Sequence, residues 1–299
     1  MPKTQSQKFG RVVLLGRPNA GKSTLLNQII GQKVSITSPR PQTTRKNTQA
    51  LFVSSKGKII FSDTPGIMHK VEDLIGKKIN LKTPKELNKA DLLVLLIDIS
   101  RAKGEEENRV IGLARNSPAK KILAYNKIDV AKGKKDYLSD YNFLEEEFDG
   151  VVAISALKST HVKSLIEKIF DLLPAKAPVG IKKDIKLMES QKSPISDQSS
   201  DTYISEIIRE KAFLVLRKEL PYTVSVEVKE INDKGNIIVI KANLLTTDKR
   251  YKKMIIGKKA STIKLIGQKA RRELELVSQR KIYLELTVIS DPHWPERFV

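Results

Sequence analysis

A glycine-rich segment near the N-terminus combines residue types that can cradle phosphate groups. The sequence GRPNAGKS begins with Gly16 and ends with Gly21, Lys22 and Ser23. The glycines allow a tight loop whose backbone N–H groups point inward at phosphate oxygens. Lys22 is expected to reach the β- and γ-phosphates, and the Ser23 hydroxyl is expected to ligate Mg²⁺. The segment therefore predicts a nucleoside-triphosphate site, whose further members are Asn19, Ala20 and Thr24.

A second motif, Asp63-Thr64-Pro65-Gly66, begins forty-one residues after Lys22. Alone it fits an ordinary turn. After a predicted strand and a phosphate loop, Asp63 is expected to hold Mg²⁺ through a bound water, and Gly66 to offer its N–H to the γ-phosphate.

The basic segment SPRPQTTRK lies between these two motifs. A loop at this place predicts a switch whose threonine binds both Mg²⁺ and the γ-phosphate. Thr44 is the preferred ligand, and its neighbour Thr43 remains an alternative. A plain basic surface loop would have the same composition.

A third motif, NKID at 126–129, indicates which base is bound. The Asp129 carboxylate can accept hydrogen bonds from both N1–H and the exocyclic amine of guanine. Adenine lacks this donor pair and would leave buried polar groups unpaired, so Asp129 predicts selectivity for guanine. Asn126 is expected to contact the base edge and tie loops together, while the Lys127 stem lies over the base.

Short β-branched runs alternate with helical stretches in the first half, which is typical of a parallel sheet with crossover helices. A fourth motif, Ser155 and Ala156, offers the Ala156 N–H to the guanine oxygen. Each motif lies at or next to the carboxyl end of a predicted strand, where open α/β sheets bind ligands. The predicted strands are 11–15, 58–62, 92–98, 121–125 and 151–154, and the predicted helices are 22–30 and 162–173.

The composition changes after Pro174, where Lys, Ser, Pro and Ala predominate. This stretch predicts a linker, after which the element order becomes α-β-β-α-α-β. The chain is therefore expected to hold one domain at 1–175, a linker at 176–200 and a second domain at 201–299. The predicted elements of that domain are helices at 203–220, 247–256 and 261–278 and strands at 223–229, 236–242 and 281–289.

The chain of 299 residues carries a formal net charge of +21. Residues 1–50 hold nine Lys or Arg and no acidic residue, and residues 251–281 hold ten basic residues against two acidic ones. Such blocks attract nucleic acid or anionic lipid, although solvated lysine-rich surfaces would give the same count. The chain has no cysteine, its three histidines are scattered, and its longest apolar run, 92–97, is too short to span a bilayer.

The segments GRPNAGKST, SPRPQTTR, DTPG, NKID and ISA together resemble the translation-factor-related GTPases. The second half, with SEIIREKAFLVLRKELPYTVSVEV and KKMIIGKKASTIKLIGQKARREL, narrows the resemblance to the Era family. The resemblance covers nearly the whole chain and implies an α/β P-loop NTPase G domain with a mostly parallel sheet, followed by an α+β type II KH domain. It implies a GTP hydrolase that binds GTP or GDP with Mg²⁺.

The same resemblance implies a nucleotide-switched assembly factor that binds single-stranded 16S ribosomal RNA near its 3′ end and acts on the small ribosomal subunit. Such a protein is expected to be a monomer in the cytoplasm, with peripheral contact to an anionic inner membrane. Two alternatives are a passive RNA-binding module with a structural nucleotide site and a membrane-associated signalling GTPase. Intact Lys22, Ser23 and Asp63 disfavour the first, and a KH-like domain in place of an amphipathic anchor disfavours the second.

KH domains normally clamp RNA backbone with a GxxG loop, but Ala260 stands where this chain would carry the second glycine. That change costs backbone freedom and is expected to weaken the clamp or shift its geometry. Core packing is an alternative for the isoleucines nearby. The residues expected to bind RNA are Ile255, Ile256, Gly257, Lys258, Lys259 and Ile263.

Hydrolysis is expected to proceed by in-line attack of water, with Lys22, Thr44 and Gly66 at the γ-phosphate. Ile67 stands where Ras-like proteins carry a water-orienting glutamine, which predicts slow turnover that RNA or pre-ribosome binding raises. Asn19 supports a further hypothesis, because related GTPases with this asparagine coordinate potassium. The alternative is that Asn19 only fits a turn.

Overall fold

The computed structural model describes residues 7–41, 43–67, 74–131, 137–190 and 196–297. Gln42 of the predicted switch and His69 lie outside these ranges. The chain divides into two compact units, Met1–Asp197 and Gln198–Val299. Each unit has its own sheet.

The first unit is built on six strands: β1 (Lys8–Leu15), β2 (Thr48–Ser54), β3 (Gly57–Asp63), β4 (Leu92–Asp98), β5 (Lys120–Asn126) and β6 (Gly150–Ile154). Their order is β2-β3-β1-β4-β5-β6, and every neighbouring pair is parallel except β2 with β3. All seven residues of β4 are buried, as its continuous apolar sequence requires in a sheet covered on both faces. The mostly parallel sheet predicted from the sequence is confirmed, and the antiparallel edge strand β2 is an addition.

Helices cover this sheet: α1 (Lys22–Ile30), α2 (Leu74–Leu87), α3 (Glu105–Arg115), α4 (Ile128–Ala131), α5 (Val162–Leu172) and α6 (Ile181–Glu189), with a 3-10 helix at Leu138–Glu147. Two apolar clusters result. One includes Leu25 of α1 and Leu165 of α5, and the other includes Val110 of α3 and Tyr141. The two cores hold the sheet rigid, so that the loops at its strand ends have fixed positions.

Helix α6 lies inside the stretch predicted to be a linker, and that part of the prediction was wrong. Its buried side chains Ile181, Ile185 and Met188 pack with Leu51 of β2 and Ile60 of β3. Their spacing places them on one helical face, so their burial offsets the cost of ordering the segment. Outside the apolar face, α6 is tied to the sheet by the ion pairs Arg11–Asp184 at 2.8 Å and Lys58–Glu189 at 2.6 Å.

The second unit contains α7 (Ser200–Val215), β7 (Val224–Asp233), β8 (Ile237–Thr246), α8 (Lys249–Ile256), α9 (Ser261–Ser278), β9 (Lys281–Ser290) and α10 (Trp294–Arg297), with short 3-10 helices at Leu220–Thr223 and Lys258–Ala260. Its sheet has the order β7-β8-β9, antiparallel between the first pair and parallel between the second. Helix α7 ends at Val215 rather than at 220, because the backbone is already extended at Leu216. The predicted α-β-β-α-α-β order is otherwise observed.

Candidate functional site

The phosphate loop connects β1 to α1, and two of its glycines are required by close contacts. Gly21 has a φ of 101°, and a Cβ placed there would lie 2.2 Å from Asn126 Nδ2. A Cβ on Gly16 would lie 2.7 Å from the Leu96 carbonyl oxygen. Any side chain at either position would therefore displace the loop from the neighbouring strand ends.

Lys22 begins α1 and directs its ammonium group back into the loop. Its Nζ donates to the carbonyls of Gly16 at 2.8 Å and Arg17 at 3.0 Å. Burial lowers the pKa of Lys22 to about 8, although the Asp63 carboxylate opposes that shift. A buried ammonium among carbonyl dipoles can neutralise phosphate charge without first losing a water shell.

Three side chains from three separate segments meet beside Lys22. The Ser23 hydroxyl donates to Asp63 Oδ2 at 2.6 Å, and the Ser23 and Thr44 hydroxyl oxygens lie 2.9 Å apart. Thr43 turns instead into its own loop, where its hydroxyl lies 2.5 Å from Ser38 Oγ and donates to the Arg40 carbonyl. Of the two threonines, the structure thus brings Thr44 to this corner.

This corner suits a hard cation such as Mg²⁺. Asp63 is fully buried, and burial raises the pKa of its carboxyl, while Lys22 and hydrogen bonds from two serines oppose the rise. Among the described residues, Asp63 Oδ1 is buried and has no hydrogen-bond partner. An orphaned carboxylate oxygen beside two hydroxyls offers the oxygen donors that Mg²⁺ or its bound waters prefer. Ser23, Thr44 and Asp63 would hold the ion, and the ion would neutralise phosphate charge.

Of the residues that follow Asp63, some lie at the site and others belong to the buried interior. Gly66 lies against the phosphate loop, because a Cβ there would meet the Pro18 nitrogen at 2.6 Å. The Thr64 side chain is fully buried and donates to the Leu14 carbonyl at 2.7 Å, so it fixes the loop rather than facing the site. Pro65 is also buried. Ile67 is only 2% exposed and belongs to the apolar core, so it stabilises the domain instead of substituting for a water-orienting glutamine.

Asn126 links the loops at the base-binding end. Its Nδ2 donates to the Ala20 carbonyl at 2.7 Å, and its Oδ1 accepts from the Ala156 N–H at 2.9 Å. Ser155 is fully buried, and its hydroxyl accepts from the Lys158 N–H. Since the Ala156 N–H is already directed at Asn126, its bond to a guanine oxygen stays a prediction.

The orientation of Lys127 depends on a residue that the sequence analysis missed. Asp98, at the end of β4, accepts from Lys127 Nζ at 2.7 Å and forms an ion pair with Arg101 at 3.1 Å. Burial alone would raise the pKa of Asp98, but hydrogen bonds from Lys127 and Ser100 hold it below its usual range. A charged Asp98 therefore fixes Lys127, while Asp129 lines the same cavity.

A second missed pair secures the phosphate loop itself. Arg17 Nη1 donates to Glu107 Oε2 at 2.5 Å, and both residues are buried. Burial raises the pKa of Glu107 to about 6, and the Arg17 charge opposes that rise. Arg17 also donates to the carbonyls of Asp98 and Ala102. The pair consequently joins the loop that binds phosphates to the segment that orients Lys127.

These elements enclose one cavity of about 480 Å³, a size suited to a nucleotide. The predicted site residues in its wall are Asn19, Gly21, Lys22, Ser23, Thr24, Thr44, Gly66, Asn126, Lys127, Asp129 and Ala156. Other predicted residues, Gly16, Ala20, Asp63, Thr64, Pro65 and Ser155, support the wall from behind. Wall residues that the sequence analysis did not propose as ligands include Pro18, Ile36, Thr37, Asp98, Ser100, Arg101 and Leu157.

In the second unit, the predicted RNA-binding loop joins α8 to α9. Gly257 has a φ of 74°, and a Cβ there would lie 2.3 Å from Thr262 Oγ1. Lys258 and Lys259 are exposed, and the Ala260 N–H donates to the Gly257 carbonyl. Ala260 has a φ of 59° and a ψ of 24°, so the alanine adopts the left-handed conformation that a glycine would adopt more cheaply.

The isoleucines around this loop differ in exposure. Ile255 is fully buried and cannot present its side chain to a base, so this part of the prediction was wrong; α8 packs that face inward. Ile256 and Ile263 are half-buried. Ile263 lines a groove of about 260 Å³, together with further residues of α9 and β9: Lys264, Gly267, Gln268, Arg271, Tyr283, Leu284 and Leu286. None of those seven was predicted from the sequence, and Tyr283, Leu284 and Leu286 of β9 come beside α9 only through the fold.

A mostly parallel sheet that carries this phosphate loop, this oxygen-rich corner and Asp129 defines a GTP-binding P-loop domain. The second unit has the elements of a KH domain. Residues 11–127 match the family of 50S ribosome-binding GTPases, and residues 219–293 match the KH domain family. Within the described ranges, no helix has the length and apolar character needed to cross a membrane. In the same ranges, no cluster of three His, Asp or Glu side chains could hold a metal ion.

Whole-chain relatives narrow the class further. GTPase Era of Halothermothrix orenii is 36% identical over 293 residues, which cover 98% of this chain and 96% of that protein. GTPase Era of Thermotoga maritima is 36% identical over 296 residues, covering 98% and 95%. The chain belongs to the Era family of GTPases, and it hydrolyses GTP.

Two solved structures resemble the chain over almost its full length. Aquifex aeolicus Era bound to GDP and tetrafluoroaluminate has 33% sequence identity and a TM-score of 0.85, covering 98% of this chain and 97% of that one. Era in complex with MgGDPNP and nucleotides 1506–1542 of 16S ribosomal RNA has 32% identity and a TM-score of 0.86, covering 98% and 96%. GTP or GDP with Mg²⁺ is therefore the cofactor set of this family.

Proposed function

We propose that this GTPase binds single-stranded 16S ribosomal RNA near its 3′ end and assists small-subunit assembly under the control of its bound nucleotide. The observation that carries the proposal is the joint presence of a complete nucleotide cavity and a basic KH loop in one chain. Support comes from the full-length similarity to an Era that was solved with both MgGDPNP and that RNA segment. A passive RNA-binding module would not require Lys22 and Asp63 to be buried at such cost.

The proposed roles in hydrolysis follow from the positions of the side chains. Lys22 neutralises the developing charge on the γ-phosphate, and the Gly66 N–H donates to it. Thr44 reaches the same phosphate from the switch segment, while Ser23 and Asp63 hold Mg²⁺. Ile67 is buried, so no glutamine-like group follows Gly66, and intrinsic turnover is slow until RNA or pre-ribosomal contacts order the switch.

A connector carries the nucleotide state toward the KH domain. Directly after the switch, β2 pairs with the chain at Ser196 and Asp197. The Asp197 N–H donates to the Gln49 carbonyl at 3.1 Å, and the Gln49 N–H donates to Asp197 Oδ1 at 2.9 Å. Helix α7 begins three residues later, at Ser200. The strand that follows the switch is thus hydrogen-bonded to the segment that leads into α7.

In this proposal, RNA binds to the loop at Gly257 and to the groove beside it. Lys258 and Lys259 take phosphates, while half-buried Ile263 and the exposed Tyr283 offer apolar surface to bases. The protein acts as a monomer in the cytoplasm, and its basic surface also permits peripheral contact with an anionic inner membrane. Its net charge of +21 favours both partners, and salt weakens both contacts.

Fluorescence anisotropy with a labelled single-stranded RNA from the 3′ end of 16S ribosomal RNA tests the RNA assignment. The double variant Lys258→Ala/Lys259→Ala is expected to bind more weakly, and its salt slope should fall by roughly 1.4, since each phosphate contact on a single strand contributes about 0.7. Lys176→Ala/Lys183→Ala, in the first unit, is the charge-matched control. Equal slopes in both double variants would exclude this loop as the phosphate clamp.

Nucleotide-dependent coupling through the connector has its own test. Asp197→Ala removes the side-chain acceptor of the Gln49 N–H but leaves both binding sites intact. The affinity for labelled GDP should stay within about twofold of the original, while the difference in RNA affinity between the GTP-analogue and GDP states shrinks. An unchanged difference would show that the state reaches the KH domain by another route.

A further inference from the structure

A hydroxyl outside the nucleotide motifs contacts the metal-binding carboxylate. Ser35 Oγ donates to Asp63 Oδ2 at 2.7 Å. This is the same oxygen that accepts from Ser23 at 2.6 Å. Ser35 is 3% exposed, and its hydroxyl is the second of two donors to one oxygen of a carboxylate that water cannot reach. The other oxygen, Oδ1, has no hydrogen-bond partner among the described residues.

This asymmetry determines which way the carboxylate faces. Two short hydrogen bonds on Oδ2 stop the Asp63 group from rotating about its terminal bond, and they leave Oδ1 as the oxygen with unused acceptor capacity. A carboxylate held by Ser23 alone could turn and exchange its two oxygens. With Ser35 as the second donor, Oδ2 stays beside the Ser23 hydroxyl, and the carboxylate keeps one orientation at the metal corner.

Ser35 is itself fixed by a residue of α1. Asn27 Oδ1 accepts from the backbone N–H groups of Val34 at 2.8 Å and Ser35 at 2.9 Å, and its Nδ2 donates to the Ser35 carbonyl at 2.7 Å. One amide side chain thus satisfies both backbone groups of Ser35. The hydroxyl is therefore presented from a rigid segment, only nine residues before Thr44.

We propose that Ser35 is a positioning residue for the Mg²⁺ site, one that fixes the Asp63 carboxylate against Ser23, with Asn27 holding Ser35 in place. The inference rests on the proposed nucleotide and metal site. It assigns no contact between Ser35 and the nucleotide. Its consequence is specific: loss of the Ser35 hydroxyl weakens the Mg²⁺-dependent part of nucleotide binding and spares the part that needs no metal.

The neighbouring Ser62 provides a matched control. It immediately precedes Asp63, its side chain is fully buried, and its hydroxyl has no hydrogen-bond partner among the described residues. Ser62→Ala and Ser35→Ala each remove one fully or almost fully buried hydroxyl from the same unit. Only Ser35→Ala removes a bond to it. Ser35→Thr keeps the hydroxyl and is the rescue variant.

The experiment measures the release of fluorescently labelled GDP from the full chain across a Mg²⁺ titration, and separately in EDTA. For Ser35→Ala we expect the half-saturating Mg²⁺ concentration to rise about tenfold, since a buried hydrogen bond to a charged group is lost. The release rate in EDTA should stay within about twofold. Ser62→Ala and Ser35→Thr should match the original chain, as should the far-ultraviolet circular dichroism of all three.

An unchanged Mg²⁺ requirement in a folded Ser35→Ala variant would overturn the proposal, as would equal weakening with and without Mg²⁺. If Ser35→Ala does not fold, Ser35→Cys keeps the shape with a weaker donor and is judged by the same two criteria. Failure of the proposed nucleotide site would look different. In that case the original chain would itself retain GDP equally well with Mg²⁺ and with EDTA.

Discussion

Replacing Ala260 by glycine should stabilise the KH domain, which is unusual for a substitution to glycine. Ala260 has a φ of 59°, where a non-glycine residue costs about 1–2 kcal/mol. Glycine removes that cost but adds about 0.5–1 kcal/mol of backbone entropy lost on folding. The net expectation is a gain of about 0–1.5 kcal/mol, and its midpoint of about 0.75 kcal/mol corresponds to roughly 3–6 °C in the melting temperature of a unit of this size.

Trp294 allows the effect to be measured in the correct unit. It is the only tryptophan of the chain, it is 3% exposed, and its Nε1 donates to the Thr223 carbonyl. Its fluorescence therefore reports unfolding of the second unit. Ala270→Gly, in the right-handed interior of α9, is the control and should lower the midpoint, because glycine costs about 1 kcal/mol in a helix.

An Ala260→Gly midpoint that is lowered along with that of Ala270→Gly would refute the reasoning from backbone conformation. RNA affinity provides a second check. Because Ala260 already has a left-handed conformation, the loop is shaped before RNA binds, and the glycine variant should bind RNA within about twofold of the original. A large gain in affinity would show that the alanine distorts the clamp.

Three further predictions concern the first unit. Asp129→Asn should reduce GTP affinity by about 100-fold or more. The same variant should improve binding of xanthosine triphosphate, because the base of that nucleotide has a carbonyl that can accept from the new amide. Unchanged selectivity in a competition assay would contradict the base assignment. Asn19 Nδ2 donates to the Pro39 carbonyl at 2.7 Å, which leaves Oδ1 for a cation. Hydrolysis should therefore be faster in potassium buffer than in sodium buffer at equal ionic strength. The Asn19→Ala variant should lose that difference. Ile185→Ala should lower the free energy of unfolding of the first unit by about 2–4 kcal/mol in urea titrations. Leu187→Ala, on the exposed side of α6, should leave that free energy nearly unchanged. Equal effects of the two variants would argue against the packing of α6.

The nucleotide motifs were predictable because each is short and local in sequence. The glycines, lysine and serine of the phosphate loop act through backbone geometry that eight consecutive residues define. Asp63 and Asn126 come directly after predicted strands, and parallel strands bring their carboxyl ends to one edge of the sheet. The meeting of Ser23 with Asp63 therefore follows from strand order, whereas the choice of Thr44 over Thr43 depends on the fold of the loop.

The supporting contacts were not predictable, because their partners are distant in sequence. Arg17 and Glu107 are ninety residues apart, and Asp98 reaches Lys127 only because β4 and β5 are neighbours. Ser35 carries no motif of its own, and its role depends on Asn27 and Asp63 being fixed by separate elements. Tertiary packing alone sets such distances.

Helix α6 was missed for another reason. Lysine, serine and proline near it suggested a linker, although Ile181, Ile185 and Met188 recur at helical spacing. The linker-like composition of the neighbouring residues favoured a linker, because the helical periodicity extends over only nine residues. The edge strand β2 was missed because it follows the switch without a sharp turn signal.

The affinity for RNA as a function of bound nucleotide tests the central claim most directly. Anisotropy titrations would use the 3′-end segment of 16S ribosomal RNA and the full chain, loaded either with a non-hydrolysable GTP analogue and Mg²⁺ or with GDP and Mg²⁺. A nucleotide-controlled RNA-binding GTPase should bind this segment at least about fivefold more tightly in the GTP-analogue state, the usual lower range of coupling between two sites. Equal affinity in both states, at a salt concentration where binding is specific, would contradict the account.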